Sequence, residues 1–507
     1  MAVRVAAGRL AGCRAEEVEL RETHISWLFL AGDRAFKLKK PVRLAFVDYT
    51  DPERRRFMCA EEVRLNRRLT RGLYLGVRSL VPASDGLRIG GADDPEAIDY
   101  VVEMRRYDEA RTLEAALERA EPLQETAASL GTMLARFHAG CPRGAGGRAR
   151  TQRQISVNLD ELLEQLPASS ARSPVHAVGR QLEAYLRRRG DLLDERAAAG
   201  LVREGHGDLR AAHVLLAPQL SVVDCVEFDR ALRTLDVAED LAFLIMDLHR
   251  LGAADQARLL VDGYRVAGGD PGPPALLAFF AGHRALIRAK VARITPAGTG
   301  PEAEAGEHGR FATFIALAGS MAWRSHGPLV VAICGVAASG KTALARELQA
   351  TAGLPGLSSD RVRKELGGLD ARTRGTEALY TDAVSLRTYT ELGRRARETV
   401  TREGVVVVDA TFRRPGDRTA FSRALGDRAP ILFVQCVASP ETIRRRASAR
   451  ELANTDVSDA TAAVAERQLR SWLPLHEVPI DRRLELNTER PLSESVDAVR
   501  EWLNGRS

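Results

Sequence analysis

The spacing of apolar residues along the chain changes its character near residue 326. Beyond Pro328, short continuous apolar runs such as LVVAIC, VVVVDA and ILFVQCVA alternate with longer stretches of helical spacing. Continuous apolar runs of this length are typical of strands that are buried on both faces of a parallel sheet. The alternation therefore predicts an α/β domain over residues 327–507, with a parallel sheet that is wrapped by helices.

Before residue 326 the pattern is mixed instead of alternating. ISWLFLAGDRAFKLKK predicts two strands joined by a turn, and DPERRRFMCAEEVRLNRRLT, which follows it, has helical spacing. Further along, AIDYVVEMRR and LSVVDCVEF predict strands, and DVAEDLAFLIMDLHRL predicts a helix. Residues 295–309, rich in Gly, Pro, Ala and Glu, predict a long loop. We therefore expect a separate α+β domain over residues 1–325.

Length and charge narrow the class of protein. A chain of 507 residues is too long for one ordinary core, which agrees with two domains. The net charge of +6 suits anionic substrates such as nucleotides and is too small to indicate a dedicated nucleic-acid binder. The six cysteines form no CxxC pair, the N-terminus is a poor signal peptide, and the apolar runs are too short for a membrane span. The expectation is a cytoplasmic protein without membrane association.

The strand LVVAIC leads into GVAASGKT, which satisfies the phosphate-binding pattern G-x-x-x-x-G-K-[ST] and precedes a helix. In such a loop, glycines let backbone N–H groups face the phosphates, and the helix N-terminus adds its positive dipole. We expect Lys341 to reach the β- and γ-phosphates of ATP and the Thr342 hydroxyl to ligate Mg²⁺. Asp409, which follows the run VVVV, is predicted to orient the same metal ion. The residues predicted to bind the nucleotide are Gly335, Ser339, Gly340, Lys341 and Thr342.

Two further stretches of the C-terminal half carry candidate chemistry. In LSSDRVRKEL, Asp360 is predicted to take the proton from an acceptor hydroxyl, with Arg363 and Lys364 facing an anionic group. The alternative for Asp360 is a helix cap. In ETIRRRASAR, Arg446 and Arg450 lie one turn apart on one helix face, which suits a lid that closes over ATP. The alternative for this pair is a solvated basic face.

These features together resemble the small P-loop kinases around gluconate kinase, the kinase domain of bacteriophage polynucleotide kinase, and the zeta toxins. The shared features are the P-loop, the SSDxxRK stretch after the second strand, the VVVVDATF strand and the arginine-rich helix. The resemblance implies that Asp360 is the general base and that Arg450 is a lid arginine. It does not fix the acceptor.

The N-terminal half holds a second stretch with phosphoryl-transfer chemistry, GHGDLRAAHVLL, residues 205–216. It resembles the kinase loop H-[RG]-D-L-x-x-x-N, and in that resemblance Asp208 accepts or orients the proton of the acceptor hydroxyl. Arg210 stands where protein kinases often place a lysine that touches the γ-phosphate. His213 stands where the loop normally has an asparagine that ligates the second Mg²⁺. Glu227, in VEFD, stands where a metal-binding aspartate is expected.

The histidine leaves the metal of this half open. Histidine and glutamate both ligate cations, although imidazole favours softer metals than Mg²⁺. Three interpretations follow: a site that uses Mn²⁺ through His213 and Glu227, a site with one metal ion held by Glu227 alone, and a degenerate site.

Upstream, Lys37 in RAFK fits the strand lysine that pairs with the α- and β-phosphates of ATP and with a helix glutamate. Glu62 is preferred over Glu61 as its partner, because leucines three and seven residues further on then share its helix face. EMRRY, residues 103–107, is the candidate hinge that holds adenine through backbone groups. No GxGxxG precedes Lys37, so the segment 23–34 would have to cover the phosphates.

The order of these motifs resembles the aminoglycoside phosphotransferase and choline kinase group, which implies a bilobal protein-kinase-like α+β fold for residues 1–325. The two halves together resemble bacterial fusion proteins in which such a domain precedes a P-loop kinase domain. We therefore expect a bifunctional kinase that uses ATP with Mg²⁺, or Mn²⁺ in its N-terminal domain, and acts on small hydroxyl compounds. Two alternatives stay open: an N-terminal ligand-sensing module that regulates a P-loop ATPase, and nucleic-acid 5′-kinase activity in the C-terminal domain.

Overall fold

In the computed structural model the chain forms two compact units, each built from two separate stretches. The first unit comprises Met1–Gly147 and Leu192–Pro271, and the second comprises Arg148–Asp191 and Gly272–Ser507. The predicted boundary at residue 326 lies inside the second unit. The residues that the structure describes are 2–44, 47–84, 86–167, 172–294, 301–370, 373, 377–453 and 462–506.

Helices occur in both units. None of the helices in this described part of the chain is long and apolar enough to cross a membrane. In chain order the helices are α1 (Ala2–Ala11), α2 (Pro52–Asn66), α3 (Leu113–Glu118), α4 (Gln124–Gly140), α5 (Arg148–Glu164), α6 (Arg172–Ala198), α7 (Arg230–Arg233), α8 (Val237–Arg250), α9 (Ala254–Val266), α10 (Pro274–Ile294), α11 (Pro301–Arg324), α12 (Lys341–Ala352), α13 (Ser359–Leu366), α14 (Asp382–Glu403), α15 (Pro415–Leu425), α16 (Pro440–Ala453), α17 (Ala462–Arg470) and α18 (Leu492–Asn504).

Strands also occur in both units, and the first twelve belong to the first unit. In chain order they are β1 (Glu19–Glu22), β2 (Ser26–Ala31), β3 (Arg34–Lys39), β4 (Arg43–Leu44), β5 (Val47–Asp48), β6 (Tyr74–Ala83), β7 (Gly86–Ile89), β8 (Asp99–Arg105), β9 (Val202–Glu204), β10 (Val214–Leu215), β11 (Ser221–Val222), β12 (Thr234–Asp236), β13 (Leu329–Cys334), β14 (Gly356–Ser358), β15 (Val405–Asp409), β16 (Ile431–Val437) and β17 (Arg483–Asn487).

The first unit contains an antiparallel sheet in the order β1-β2-β3-β8-β6-β7. β2 and β3 pair with Ala31 opposite Arg34, so the predicted pair of strands joined by the AGDR turn is confirmed. One face of the sheet packs on α1 and the other on α2. α2 is capped by the Asp51 carboxylate, which accepts hydrogen bonds from the N–H groups of Glu53 and Arg54. The sheet and α2 bring strand β3, with its lysines, beside the glutamates of the helix.

The rest of the first unit is mainly helical and is built around α8. This helix is buried over nearly its whole length, which explains the apolar run LAFLIMDL. α4 and α9 approach closely because each has a glycine at the contact. A Cβ on Gly131 would lie 2.0 Å from the carbonyl oxygen of Leu260, and one on Gly263 would lie 2.2 Å from that of Ala128. The loop of residues 205–213 lies between β9 and β10 and leads past the start of α8.

A five-stranded parallel sheet forms the centre of the second unit, in the order β14-β15-β13-β16-β17. All six residues of β13 are buried, and apolar clusters cover both faces of the sheet. The parallel sheet predicted for the C-terminal part is confirmed. Because the carboxyl ends of parallel strands share one edge, the residues that follow β13, β14 and β15 come together there.

Helices before residue 326 also belong to the second unit, and they explain why the boundary differs from the prediction. Trp323 of α11 is buried in the same core as Leu344 and Leu348 of α12. Arg180 of α6 donates a hydrogen bond to Glu501 of α18 at 2.9 Å. Helical spacing predicts that a helix has a buried face, but it does not say which neighbour covers that face.

Candidate functional site

The loop between β13 and α12 is shaped by residues with a positive φ. Gly335, Ala338 and Gly340 have φ values of +143°, +62° and +94°. A Cβ on Gly335 would lie 2.6 Å from Ser339 Oγ and 2.6 Å from a backbone carbonyl oxygen, so a side chain has no room there. α12 begins at Lys341 without a side-chain cap, and the N–H groups of its first turn point into the loop. This arrangement of glycines and helix N-terminus can bind an anion such as a phosphate.

Asp409 lies at the carboxyl end of β15, beside Ile333 of β13 in the strand register. Its side chain is buried, and its Oδ1 has no hydrogen-bond partner among the residues that the structure describes. Burial raises the pKa of Asp409, whereas the charge of Lys341 and a hydrogen bond from the Thr342 hydroxyl act to lower it. A buried carboxylate oxygen that lacks a partner, beside a hydroxyl, fits a hard divalent cation such as Mg²⁺. Thr342 and Asp409 are the residues that would hold it.

Asp360 lies in the first turn of α13, at the same edge of the sheet. Ser358, at the end of β14, is opposite Asp409 in the register, and the charge of Asp360 contributes to the raised pKa of Asp409. The N-cap position of α13 is held by Ser358, which makes no side-chain cap hydrogen bond. Asp360 therefore does not serve as the cap. Its carboxylate is close enough to that of Asp409 for its charge to raise the pKa of Asp409.

Arg446 of α16 is connected to the P-loop through Thr488. Its guanidinium donates hydrogen bonds to the Thr488 hydroxyl at 3.0 Å and to the Thr488 carbonyl oxygen at 2.7 Å. The Thr488 hydroxyl in turn donates to the carbonyl oxygen of Ser339 at 2.6 Å. Ser339 is fully buried, and its own Oγ has no partner in the described part of the chain. The side chain of Arg450, predicted to share a lid with Arg446, lies outside the described residues.

Two residues beside this loop are not among those that the sequence predicted. Gln468 of α17 accepts a hydrogen bond from the N–H of Ala337 through its Oε1, at 2.7 Å. Thr488 directly follows β17, and its position after a strand of the parallel sheet was a usable signal. Gln468 had no comparable signal, because it lies inside α17 and not at the end of a strand.

Arginines collect beside α13. The Arg363 guanidinium lies 4.9 Å from the centre of the Tyr380 ring, and its buried Nε has no hydrogen-bond partner within the described ranges. Asp417 lies nearby. Burial raises its pKa, whereas the charges of Arg414, Arg413 and Arg363 act to lower it. The helix that carries Asp360 therefore adjoins a positively charged region.

In the first unit, Lys37 of β3 lies between two carboxylates. Its Nζ donates hydrogen bonds to Glu62 Oε1 at 2.9 Å and to Asp224 Oδ1 at 3.1 Å. Glu61, the other candidate, instead pairs with Arg64 at 2.7 Å. Burial acts to lower the pKa of Lys37, but the Asp224 and Glu62 carboxylates outweigh it and hold that pKa well above its usual value. Lys37 is therefore a fixed positive charge.

The structure corrects the prediction that Glu227 binds a metal ion. Glu227 is buried and accepts a hydrogen bond from the Lys39 ammonium and another, at 3.2 Å, from the Tyr49 hydroxyl. Lys39 also donates to Glu62 Oε2 at 2.8 Å, so Glu227 belongs to a buried ion-pair network that supports Glu62. A buried carboxylate that is paired with an ammonium in this way is already neutralised, and removing either partner is costly.

Asp224 holds the place that the sequence assigned to Glu227. Its side chain is 49% exposed, its backbone has a φ of +64°, and its Oδ2 lies 3.6 Å from His213 Nε2. The Lys37 ammonium holds the pKa of Asp224 far below its usual value. Asp224 is the first acid after β11, which ends at Val222, so the strand end was the signal that sequence reasoning missed.

Asp208, Arg210 and His213 are in mutual contact in the loop 205–213. Arg210 Nε donates to Asp208 Oδ2 at 3.0 Å, and Arg210 Nη2 lies 2.6 Å from His213 Nε2. His213 Nδ1 lies 2.9 Å from the carbonyl oxygen of Asp208. A guanidinium only donates and a carbonyl only accepts, so the proton of the imidazole is on Nδ1 and Nε2 accepts from Arg210. Both nitrogens of His213 are therefore engaged within the protein.

The contacts of the loop 205–213 determine which of its neighbouring side chains could ligate a metal ion. No group of three or more His, Cys, Asp or Glu side chains in the part of the chain that the structure describes is arranged to hold one. The predicted ligand His213 does not fit, because its one free lone pair is directed at Arg210. Asp224 does fit, since it presents a half-exposed carboxylate next to the phosphate-binding candidate Lys37.

Carboxylates of α8 hold the loop in place. Asp240 accepts hydrogen bonds from the N–H groups of His206 and Gly207 at 2.7 and 3.0 Å, and its Oδ2 lies 3.1 Å from His138 Nε2. Burial lowers the pKa of His206 to about 4, so its ring is neutral near pH 7. Asp247 accepts from the N–H of Ala211 at 3.0 Å. Asp240 therefore positions the loop through its backbone N–H groups.

A cavity of about 630 Å³ in the first unit lies between strands β2 and β3 and the segment 104–109. Ala35 lines it from the same face of β3 as Lys37, because residues two apart share a face of a strand. Met104 and Tyr107 come from the predicted hinge, and burial raises the pKa of Tyr107 to about 12. The volume is in the range of small-ligand sites. The position suits a nucleotide base whose phosphates extend toward Lys37.

Comparison with known proteins gives one family model for the chain, described as an AAA domain, over residues 330–475. Proteins of Mycobacterium tuberculosis and Mycobacterium bovis, both described as uncharacterized, are 32% identical over 466 residues. This alignment covers 89% of the present chain and 90% of each mycobacterial protein. The likeness therefore extends over both units.

Solved structures are similar to parts of the chain. A choline/ethanolamine kinase family protein from Mesorhizobium loti is 17% identical and covers 62% of this chain and 95% of its own, with a TM-score of 0.36. A gluconokinase from Sinorhizobium meliloti is 18% identical, covers 35% and 91%, and has a TM-score of 0.26. The APS kinase of Mycobacterium tuberculosis is 20% identical, covers 35% and 99%, and has a TM-score of 0.27.

Proposed function

The chain belongs to the family of these mycobacterial proteins, and from this premise we propose that it is an ATP-dependent phosphotransferase with a site in each unit. The observation that carries the proposal is the buried Asp409 beside Thr342 and Lys341 of the P-loop, whose Oδ1 has no hydrogen-bond partner within the part of the chain that the structure describes. Burial of a carboxylate oxygen without a partner costs free energy. A cation that binds together with the nucleotide phosphates would supply the missing partner. The AAA-domain match includes all three residues.

In the second unit, the backbone N–H groups of the P-loop and the Lys341 ammonium hold the β- and γ-phosphates of ATP. Thr342 and Asp409 would hold Mg²⁺, which would neutralise charge on the phosphates. Asp360 takes the proton from the acceptor hydroxyl as the oxygen forms a bond to the γ-phosphorus. The bond from that phosphorus to the bridging oxygen of ADP breaks, and ADP leaves with the electron pair. Arg446 supports the loop through Thr488.

In the first unit, the cavity beside β3 takes the base, and Lys37, oriented by Glu62, holds the phosphates. Asp224 is the residue that would hold a divalent cation in this site. Asp208 accepts the proton of a small hydroxyl compound. The matching chemistry of the two sites supports a bifunctional enzyme, with acceptors that are hydroxyl compounds in both cases.

A second candidate for the first unit is a nucleotide-binding module that regulates the P-loop site without turnover. The observation in its favour is the hydrogen bond from Arg210 to Asp208, which occupies an oxygen of the general base. In this second function the cavity for the nucleotide base and the Lys37–Glu62 pair keep their roles in nucleotide binding, but no acceptor is phosphorylated.

The experiment measures transfer of labelled phosphate from ATP by the full chain, with panels of small hydroxyl compounds and a 5′-hydroxyl oligonucleotide as acceptors. Lys341→Ala is expected to remove transfer at the P-loop, and Asp208→Ala to remove transfer in the first unit. Lys290→Ala is the matched control, because Lys290 pairs with Glu161 away from either site. Loss of all transfer in Lys341→Ala alone supports the regulatory module.

Circular dichroism and thermal unfolding establish that each variant folds. Undiminished ATP turnover by a folded chain that carries both Lys341→Ala and Asp208→Ala would remove the proposal, because neither site would then account for the activity.

A further inference from the structure

We propose that Arg210 is a built-in cation of the first unit, which stands where a second metal ion would otherwise bind and leaves Asp224 as the one metal position. This rests on the proposed nucleotide site of that unit. In kinase loops the residue at the position of His213 is an asparagine that ligates the second Mg²⁺. Here the residues present do not fit that ion, and the reason is a side chain of the same loop.

The contacts of Arg210 carry the inference. Its Nε donates to Asp208 Oδ2 at 3.0 Å and its Nη2 donates to His213 Nε2 at 2.6 Å. His213 Nε2 also lies 3.6 Å from Asp224 Oδ2. One guanidinium therefore binds two of the three side chains that border this space, and the third is bound by Lys37.

A histidine at position 213 prevents a second metal ion from binding there, whereas an asparagine would not. A neutral imidazole has one lone pair, whereas an asparagine carbonyl oxygen has two. An asparagine here could accept from an arginine and still ligate a cation. His213 cannot do both, because its Nδ1–H is committed to the Asp208 carbonyl oxygen and its Nε2 to Arg210. Histidine and arginine therefore act as a pair.

The surroundings favour a permanent charge on Arg210. Its side chain is 23% exposed. Burial acts to lower the pKa of Arg210, but the carboxylates of Asp208, Asp224 and Asp247 outweigh it and raise that pKa. The backbone around it is also fixed, since the N–H of His213 donates to the Arg210 carbonyl oxygen at 3.0 Å and Ala211 is held by Asp247. The guanidinium therefore supplies a positive charge that, unlike a bound metal ion, does not dissociate into solvent.

The test uses the full chain without nucleotide and Mn²⁺ as the probe. Electron spin echo measurements detect nitrogen coupled to bound Mn²⁺, and titration gives the affinity. The wild-type chain is expected to show no nitrogen coupling, because Thr342, Asp409 and Asp224 offer oxygen only. Arg210→Met is expected to gain a Mn²⁺ site at least about tenfold tighter than any in the wild type, with nitrogen coupling from His213.

The controls separate the site from a general change in charge. Arg210→Met combined with His213→Ala is expected to lose the nitrogen coupling. Arg210→Lys keeps the charge and is expected to gain no site. Arg119→Met is the matched control, because Arg119 is a partly exposed arginine of the same unit that pairs with Glu121 at 2.8 Å, and neither residue belongs to the loop 205–213. If Arg210→Met does not fold, Arg210→Leu, which also removes both the charge and the donors, replaces it.

Nitrogen coupling in the wild-type chain would overturn the proposal, and so would a folded neutral variant that gains no site. Phosphate transfer by the first unit is measured separately, in the chain with Lys341→Ala. Absence of transfer together with the expected Mn²⁺ results would remove the proposed enzyme activity of that unit and leave the role of Arg210 intact.

Discussion

Replacement of Asp240 by asparagine is expected to destabilise the first unit and to slow turnover at its loop. Asp240 Oδ2 accepts from the N–H of His206 and lies 3.1 Å from His138 Nε2, while Oδ1 accepts from the N–H of Gly207. Asparagine keeps one acceptor oxygen. If this oxygen takes the two contacts of Oδ2, the amide NH₂ group meets the N–H of Gly207, and two donors face each other.

The size of the effect follows from these contacts. A hydrogen bond to a charged group contributes about 1.5–3 kcal/mol, and a buried N–H without a partner costs about 1–3 kcal/mol. The free energy of unfolding of the first unit should therefore fall by about 3–5 kcal/mol in Asp240→Asn. Because Asp240 acts through the loop, kcat should fall while KM for ATP stays nearly constant.

Urea unfolding and hydrogen exchange of the peptide 205–213 measure this change. Asp255→Asn is the matched control, since Asp255 is exposed at the start of α9, where it pairs with Arg258 at 3.1 Å. Its replacement should change the unfolding free energy by less than about 0.5 kcal/mol. A loss below about 1 kcal/mol in Asp240→Asn, with unchanged exchange in the loop, would refute the reasoning.

The dependence on pH gives an independent check. Burial acts to raise the pKa of Asp240, but hydrogen bonds from His138 and His206 outweigh it and hold that pKa well below its usual value. Such a carboxylate stabilises the fold above its unfolded pKa, near 4, and the contribution is lost as pH falls through the lower folded pKa. Asp240→Asn should therefore reduce the loss of stability below about pH 4.

The remaining predictions concern the two sites. Asp360→Asn should leave ATP affinity within a few-fold, as measured by calorimetry, but reduce phosphate transfer by about 100-fold or more; equal losses in both would contradict a base. Asp224→Asn should weaken metal-dependent ATP binding by the first unit about tenfold without loss of stability. Glu227→Gln should do the reverse, with a loss of about 3 kcal/mol in stability and unchanged nucleotide affinity; matching effects in the two variants would contradict the distinction.

The P-loop site could be predicted because its parts are marked locally. The glycines, Lys341 and Thr342 are contiguous, and Asp409 and Asp360 follow buried strands whose carboxyl ends must meet at one edge. The nucleotide-binding loop and the parallel sheet thus follow from spacing and apolar pattern alone.

The first unit was harder because its site depends on which charges pair across the fold. VVDCVEFD offers three acids within six residues, and only the structure shows that Lys39 neutralises Glu227 while Asp224 meets Lys37. The contact of Arg210 with His213 depends on side-chain direction, which spacing does not give.

Part of the stretch 295–309, which was predicted to be a loop, is helical. It was predicted as a loop from its glycines and proline, yet α11 begins at Pro301, and residues 295–300 lie outside the described residues. Proline is favoured at the first position of a helix, and the Ala and Glu residues that follow it are strong helix formers. The loop prediction counted the proline as a breaker instead of as a start signal.

The way the two units share the chain bears on how the protein can be cut. The backbone crosses between them after Gly147, Asp191 and Pro271, so no single cleavage yields two intact pieces. A fragment that ends at residue 325 would keep Trp323 but lose α12, against which that indole is buried. The fragment would also expose an apolar surface and would tend to aggregate. Selective inactivation of one site in the undivided protein is therefore the sound way to assign each activity.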